Sequence, residues 1–260
     1  MSFRDSLLST YYENPCQVLP NALWKTLAQL ENMQTSVKVY DSAVVELIVL
    51  NENMLMTYWT RNREPSQDCF QQHASLNMAL IHQDYLHAFP SQRFLLRTPY
   101  FRLIRRQDET GSRLLVPTGF SIVEVNIQQE HEQVARFIGQ CYQDIHPTAD
   151  TVLGWSRHPT FDPALWIWVF DNAKGVPAGL GIAEIDTEIS EGSLEWIQLL
   201  PDYRGMGLGK VIVQELLFRL GKRVRFTTVA GEIENKTNPE ALYRSCGFIG
   251  NDIWWMFCTE

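Results

Sequence analysis

With 260 residues, 45% of them hydrophobic and 20% charged, the chain has the composition of an ordinary globular protein, enough for one large or two small domains. No apolar run approaches the ~20 residues needed to span a bilayer, and the N-terminal stretch has no apolar core like a signal peptide's, so a cytoplasmic protein with no membrane contact is expected. The net charge of −8 falls entirely in residues 119–260, which hold 11 basic and 19 acidic side chains; this excludes nucleic acid as a partner and suits a cationic ligand such as an amine.

The first half reads as mixed α and β. Val44 to Leu50 and Met54 to Thr60 are β-rich runs around Asn51-Glu52-Asn53, which predicts a hairpin. His73 to Ala88 carries Leu76, Leu80 and Ile81 at helical spacing, which predicts a helix. Phe94 to Ile104 reads as a strand interrupted by Pro99, hence an edge strand or a bulge. Polar, Gly and Pro residues cluster over 107–119 and mark a boundary between a smaller α/β domain, 1–118, and a second domain, 119–260. No chemistry is legible in the first half; His73, His82 and His87 read as surface or satisfied core residues. Cys16, Cys69, Cys141, Cys246 and Cys258 are scattered and form no CxxC pair, so no metal and no disulfide framework is expected.

In the second half, Phe120 to Val125 reads as a strand and Glu130 to Tyr142 as an amphipathic helix on Val134, Phe137, Ile138 and Cys141. A second helix runs from about Ala149 to Ser156. Strands follow at Leu165 to Phe170, Gly179 to Ile189 and Leu194 to Leu200, with turn signals at 171–175 and 190–192, which predicts an antiparallel meander. A helix from Leu208 to Leu220 is closed by Gly221. Val224 to Val229 is a strand, Pro239 to Ser245 a helix and Phe248 to Phe257 a last strand. The order is βααβββαβαβ.

Chemistry concentrates where the third meander strand runs into Pro201-Asp202-Tyr203-Arg204-Gly205-Met206-Gly207-Leu208-Gly209-Lys210. The first turn of a helix presents unpaired N–H groups at the positive end of its dipole, and glycines admit an anion close to the main chain. Arg204 adds a positive charge. The dinucleotide pattern GxGxxG fails because Lys210 stands where its last glycine belongs, and the Walker pattern fails because Val211 follows Lys210.

A second motif, Ala241-Leu242-Tyr243 with Gly247-Phe248, lies downstream. Arg204-x-x-Gly207-x-Gly209 after a strand, followed by that motif, resembles the GNAT superfamily of acetyl-CoA-dependent N-acetyltransferases over residues from about 119 to 257. The resemblance implies an α+β fold: a mixed, centrally splayed sheet flanked by helices, preceded here by the α/β N-terminal domain, which could be a degenerate copy of the same fold. It implies acetyl-CoA as co-substrate, with the pantetheine arm on main-chain groups of Ile197, Gln198 and Leu199. The diphosphate would lie on Arg204, Gly205, Met206, Gly207, Leu208, Gly209 and Lys210. Tyr243 matches the tyrosine that protonates the departing thiolate. Lys236 stands where many members carry a CoA-contacting asparagine; Asn238, followed by Pro239, reads first as a helix cap and second as a CoA contact.

An alkylammonium is only ~0.1% free base near neutral pH, so a general base would help, and Glu195 on the central strand is the candidate. Period two puts Glu195 on one face with Ile197 and Leu199. Glu184, Asp186 and Glu188 share a face of the preceding strand and, with Trp196, are candidates for binding a cationic substrate, a small-molecule or peptide amine. The contrasting expectation is a non-catalytic acyl-CoA-binding or regulatory module. The oligomeric state is not fixed by the sequence, and a homodimer is compatible with it.

Overall fold

The computed structural model describes residues 2–65, 70, 76–107, 114–142 and 144–259. Contacts group them into two compact units: Met1–Ile104 with Ala230–Glu240 and Ile249–Glu260, and Arg105–Val229 with Ala241–Phe248. Among the described residues no helix is long and apolar enough to cross a membrane.

The first unit opens with helices α1 (Phe3–Glu13), α2 (Pro15–Val18) and α3 (Leu23–Leu27). Ser2 and Asp5 form a capping box that satisfies the first amides of α1. Strands β1 (Gln34–Tyr40), β2 (Ala43–Asn51) and β3 (Met54–Thr60) pair antiparallel in sequence, so the hairpin expected around residues 51–53 is present. The helix expected over His73 to Ala88 is not. Of that segment residues 73–75 lie outside the described residues, and Met78–His82 is a strand, β4.

Its pairing explains the difference. Strand β4 lies parallel to β3 and antiparallel to the last strand, β11 (Ile249–Cys258). A short strand hydrogen-bonded on both sides reads as an apolar run without alternation, which periodicity cannot separate from a helix. His82 is fully buried there, with Nε2 3.1 Å from Asp252 Oδ1, a satisfied core histidine. Strand β5 (Leu96–Arg106) pairs with β11 on one side, with Pro99 opposite Trp255, while the Pro99 carbonyl accepts the Ile233 N–H on the other. The ladder's one irregularity falls between Ile249 and Asp252, so Pro99 marks neither an edge nor a bulge.

The second unit follows the expected order closely: β6 (Phe120–Glu124), α4 (Ile127–Cys141), α5 (Ala149–Trp155), β7 (Trp166–Asp171), β8 (Val176–Asp186), β9 (Glu191–Leu199), α6 (Leu208–Leu220), β10 (Phe226–Glu232) and α7 (Pro239–Ser245). Strands β6 to β9 form an antiparallel meander, and β10 lies parallel to β9. Its turn comes earlier than the sequence suggests: Ser190 takes φ +56°, and Glu191 and Gly192 already belong to β9. One face carries α4 and α5 over a core of Val134, Phe137, Ile138, Trp166, Trp168, Leu180 and Ile182. The other carries α6, which approaches through glycines: a Cβ on Gly181 would lie 2.4 Å from Ile212 Cγ2.

Candidate active site

Strand β9 changes character at Glu195. Its parallel ladder with β10 runs from Glu191↔Phe226 to Leu194↔Val229 and goes no further. On the other side, Leu194 pairs with Ala183 and Trp196 with Ile182, so Glu195 is the extra residue of a β-bulge. A bulge bends its strand, re-aims a side chain and often ends pairing. Here the bulge and the end of the parallel ladder coincide, which leaves Ile197 to Leu199 laddered to β8 alone among the described pairings. That is the splay expected of this strand. The bulge also interrupts alternation, so period two does not by itself fix the face of Glu195.

Beyond the bulge the faces are set by cross-strand partners. Ile197 and Leu199 pair with Gly181 and Gly179, which lie under α6. Trp196 and Gln198 pair with Ile182 and Leu180, which belong to the core under α4.

The chain leaves β9 through the turn Pro201–Tyr203. Buried Tyr203 anchors it, donating its phenol to Asp171 Oδ2 at 3.0 Å while Lys174 donates to the same phenol at 3.3 Å. Burial alone would raise the Asp171 pKa, but bonds from the Lys174 amide, the Tyr203 phenol and the Ala173 amide outweigh it and hold the carboxyl below its usual range. Gly205 and Gly207 then take φ of +80° and +78°, conformations that cost a side-chain-bearing residue strain. The Arg204 amide donates to Pro201 and the Val211 amide to Gly207. Between them, among the described residues, the amides from Gly205 to Lys210 have no main-chain acceptor. Arg204, Gly205, Met206 and Gly207 are exposed, Lys210 as well, and Leu208 is buried. This is an open cluster of unsatisfied donors at the start of a 13-residue helix. The Arg204 Nε donates to the Leu199 carbonyl at 3.3 Å, a contact that sequence reasoning did not foresee.

Tyr243 sits on α7. The helix ends where the Tyr243 carbonyl accepts the amides of Cys246 and Phe248, and Gly247 supplies φ +89°. Phe248 meets the tyrosine ring edge-on at 5.8 Å. Gly209 packs on Leu242, where a Cβ would come within 3.3 Å, and so ties the glycine turn to α7. The phenol is 7% exposed, and burial raises its pKa well above 10, with the charges of Tyr142, Cys246 and Glu195 adding to the shift. The Glu195 carboxylate therefore acts on the Tyr243 phenol, and the two functional candidates share one electrostatic neighbourhood. The phenol therefore keeps its proton at neutral pH. Cys246 is buried and its thiol is likewise pushed up, chiefly by desolvation.

Other expected residues have different surroundings. Glu184 is buried, with Oε1 3.5 Å from His158 Nδ1. Asp186 Oδ1 accepts the amides of Glu188 and Ile189 and so caps the β8–β9 turn; Glu188 lies in that turn, outside the strand. Glu184 thus lies against His158, and Asp186 is engaged in capping the turn. Asn238 directly precedes α7 with φ +49° and belongs to the first unit. Trp196 stacks on Trp155 at 5.4 Å with rings 18° apart, and Tyr142 meets its edge at 6.2 Å. Sequence reasoning missed Tyr142, whose pKa is also raised by burial; its position just past the α4 pattern gave no sign of a role. Cys16, Cys141, Cys246 and Cys258 are free thiols, and Cys69 lies outside the described residues.

A sheet whose central parallel pair stops midway, beside a glycine turn that opens a helix, defines the GNAT fold class. Residues 131–248 match the sequence profile of the acetyltransferase (GNAT) family. A [ribosomal protein bS18]-alanine N-acetyltransferase of Haemophilus influenzae is 34% identical over 74 residues, 28% of this chain; the match spans half the length of that relative, 50%. An acetyltransferase of the GNAT family from Colwellia psychrerythraea superposes with a TM-score of 0.63 at 13% identity, over 100% of this chain and 98% of that one. A tandem GNAT protein from the clavulanic acid biosynthesis pathway gives 0.57 at 13% identity, over 100% and 97%. At these identities the structural likenesses establish the fold.

Proposed function

We propose that the chain is a cytoplasmic N-acetyltransferase that moves an acetyl group from acetyl-CoA to a primary amine, of a small molecule or a peptide, by direct attack without a covalent enzyme intermediate. One observation carries the reading. The unsatisfied amides from Gly205 to Lys210 adjoin the strand end that has lost its parallel partner, and a protonated Tyr243 lies within the field of Glu195.

The residues fit the co-substrate. The amides of Gly205 to Lys210, with Arg204, would take its diphosphate, and main-chain groups of Ile197, Gln198 and Leu199 its pantetheine arm. Acetyl-CoA, when bound, supplies an activated acetyl group whose sulfur leaves as a thiol. Main-chain amides beside Leu199 act as a fixed electrostatic site for developing charge. Glu195 accepts the proton of the acceptor ammonium through water, and the Tyr243 hydroxyl holds the proton destined for sulfur. Asn238 and the acids Glu184 and Asp186 have no assigned step in this mechanism.

The N-terminal part, 1–118, would be a second, degenerate GNAT-like half; the likeness to a tandem GNAT protein over the whole chain supports this. A non-catalytic acyl-CoA-binding module has one observation in its favour, the Arg204 guanidinium already donating to the Leu199 carbonyl. One measurement establishes binding and a second separates the readings. Acetyl-CoA raises the melting temperature under either, because a ligand that binds only the folded state stabilises it. Thiol release across polyamines, aminoglycosides, amino acids and peptides occurs only under the first. Binding without turnover of any acceptor would leave the module.

A further inference from the structure

Gln198 is 5% exposed, and among the described residues neither its Oε1 nor its Nε2 has a hydrogen-bond partner. A buried side-chain amide left without partners is costly, and native proteins seldom keep one without a use for it. The residue stands beyond the Glu195 bulge, on the face of β9 under α4, opposite Leu180. Two residues earlier on that face is Trp196, held by its stack on Trp155 and the edge contact of Tyr142. Burial raises the Tyr142 pKa and the nearby Gln198 amide opposes that shift, a polar contact that falls short of hydrogen-bond geometry. Gln198 thus forms a polar end to an aromatic wall, next to the segment that holds Glu195.

We propose that the Gln198 side chain recognises the acceptor, selecting amines that carry a carboxamide or peptide group beside the reacting nitrogen. This rests on the N-acetyltransferase reading and names its substrate class. The chemistry follows from the inventory of the two atoms. Oε1 needs a donor and Nε2 needs an acceptor. An ammonium satisfies only the first and a carboxylate only the second. An amide, entering beside the Tyr142 phenol, satisfies both, and an alkyl group in its place satisfies neither. A site built to hydrogen-bond a substrate rejects the analogue that lacks the bonding group, because its own polar atoms are then left buried and unpaired.

The test uses the full chain, acetyl-CoA and three matched acceptors. Alaninamide carries the carboxamide, isopropylamine replaces it with methyl, and 1,2-diaminopropane replaces it with an aminomethyl group. The quantity read is the ratio of kcat/KM between acceptors within each variant, which a merely structural defect leaves unmoved. Gln198→Leu should lower the alaninamide-to-isopropylamine ratio by roughly tenfold to a hundredfold. Gln198→Glu should shift preference toward 1,2-diaminopropane. A ratio in Gln198→Leu within about twofold of the original would overturn the proposal and assign the buried amide to an ordered water. A second readout needs no turnover: in the presence of CoA, alaninamide should raise the melting temperature of the original chain and not of Gln198→Leu. Equal shifts in both would also overturn it. If that difference is seen while no acceptor is turned over, the amide recognition stands and the catalytic reading falls.

Discussion

Replacing Tyr243 with phenylalanine separates catalysis from binding. The change removes one hydroxyl from a ring that is 7% exposed and packed against Phe248, so the ring's own packing survives. Loss of one buried polar contact costs about 1 kcal/mol, which for a chain of this size moves Tm by about 2–4 °C. The catalytic loss should be much larger. A positioned proton donor contributes roughly 10²- to 10⁴-fold, about 3–5 kcal/mol of barrier. Because burial lifts the folded pKa above the free value near 10, any stability linked to this group is fully present below pH 10 and is lost only as pH rises through the folded pKa. Between pH 6 and 9 the hydroxyl therefore stays protonated, and the variant should depress turnover by one factor across that range. The assay is thiol release from pH 6 to 9, alongside the melting shift produced by acetyl-CoA. Turnover within about threefold of the original, or acetyl-CoA affinity falling in step with kcat, would refute the proton-donor role.

Three further outcomes follow from the same geometry. Glu195→Gln should lower kcat roughly a hundredfold and abolish the acidic limb of the pH–rate profile; a limb that persists would place the base elsewhere. A Cβ on Gly207 meets nothing within 4 Å, so Gly207→Ala should cost only the backbone strain of φ +78°, about 1–2 kcal/mol, and Gly207→Asn less. Both should still weaken CoA at least tenfold relative to pantetheine, which lacks the diphosphate; calorimetry showing equal losses for the two ligands would contradict the cradle. Gly181→Ala drives a methyl against Ile212 and should destabilise the protein by about 1–3 kcal/mol in urea unfolding, with little change contradicting the close approach of α6 to β8.

The second unit was legible because its signals are local. Turn residues at 171–175, the Gly205–Gly209 run and the Pro239 start of α7 announce themselves in any context. The order of elements and the resemblance to the GNAT superfamily followed from them. What the sequence hid depends on partners distant along the chain. Met78–His82 reads as helical because a strand paired on both sides has no polar face to alternate with. Pro99 reads as an edge marker, yet proline still offers a carbonyl, and Ile233 uses it. The bulge at Glu195 exists only in relation to Ala183 and Ile182 across the hairpin, so it removes a residue from register without any local sign. Gln198 likewise looks like a solvated strand residue until its neighbours bury it. The turn glycines, Tyr243 and Glu195 could be read directly; the bulge at Glu195 and the burial of Gln198 could not.

Hydrogen–deuterium exchange of single amides, with and without CoA, tests the central claim most directly. Exchange at the amides from Gly205 to Lys210 should slow sharply when CoA is added, whereas Arg204 and Val211, which already donate to Pro201 and Gly207, should change little. CoA that binds while those six amides exchange at their original rates would contradict the account.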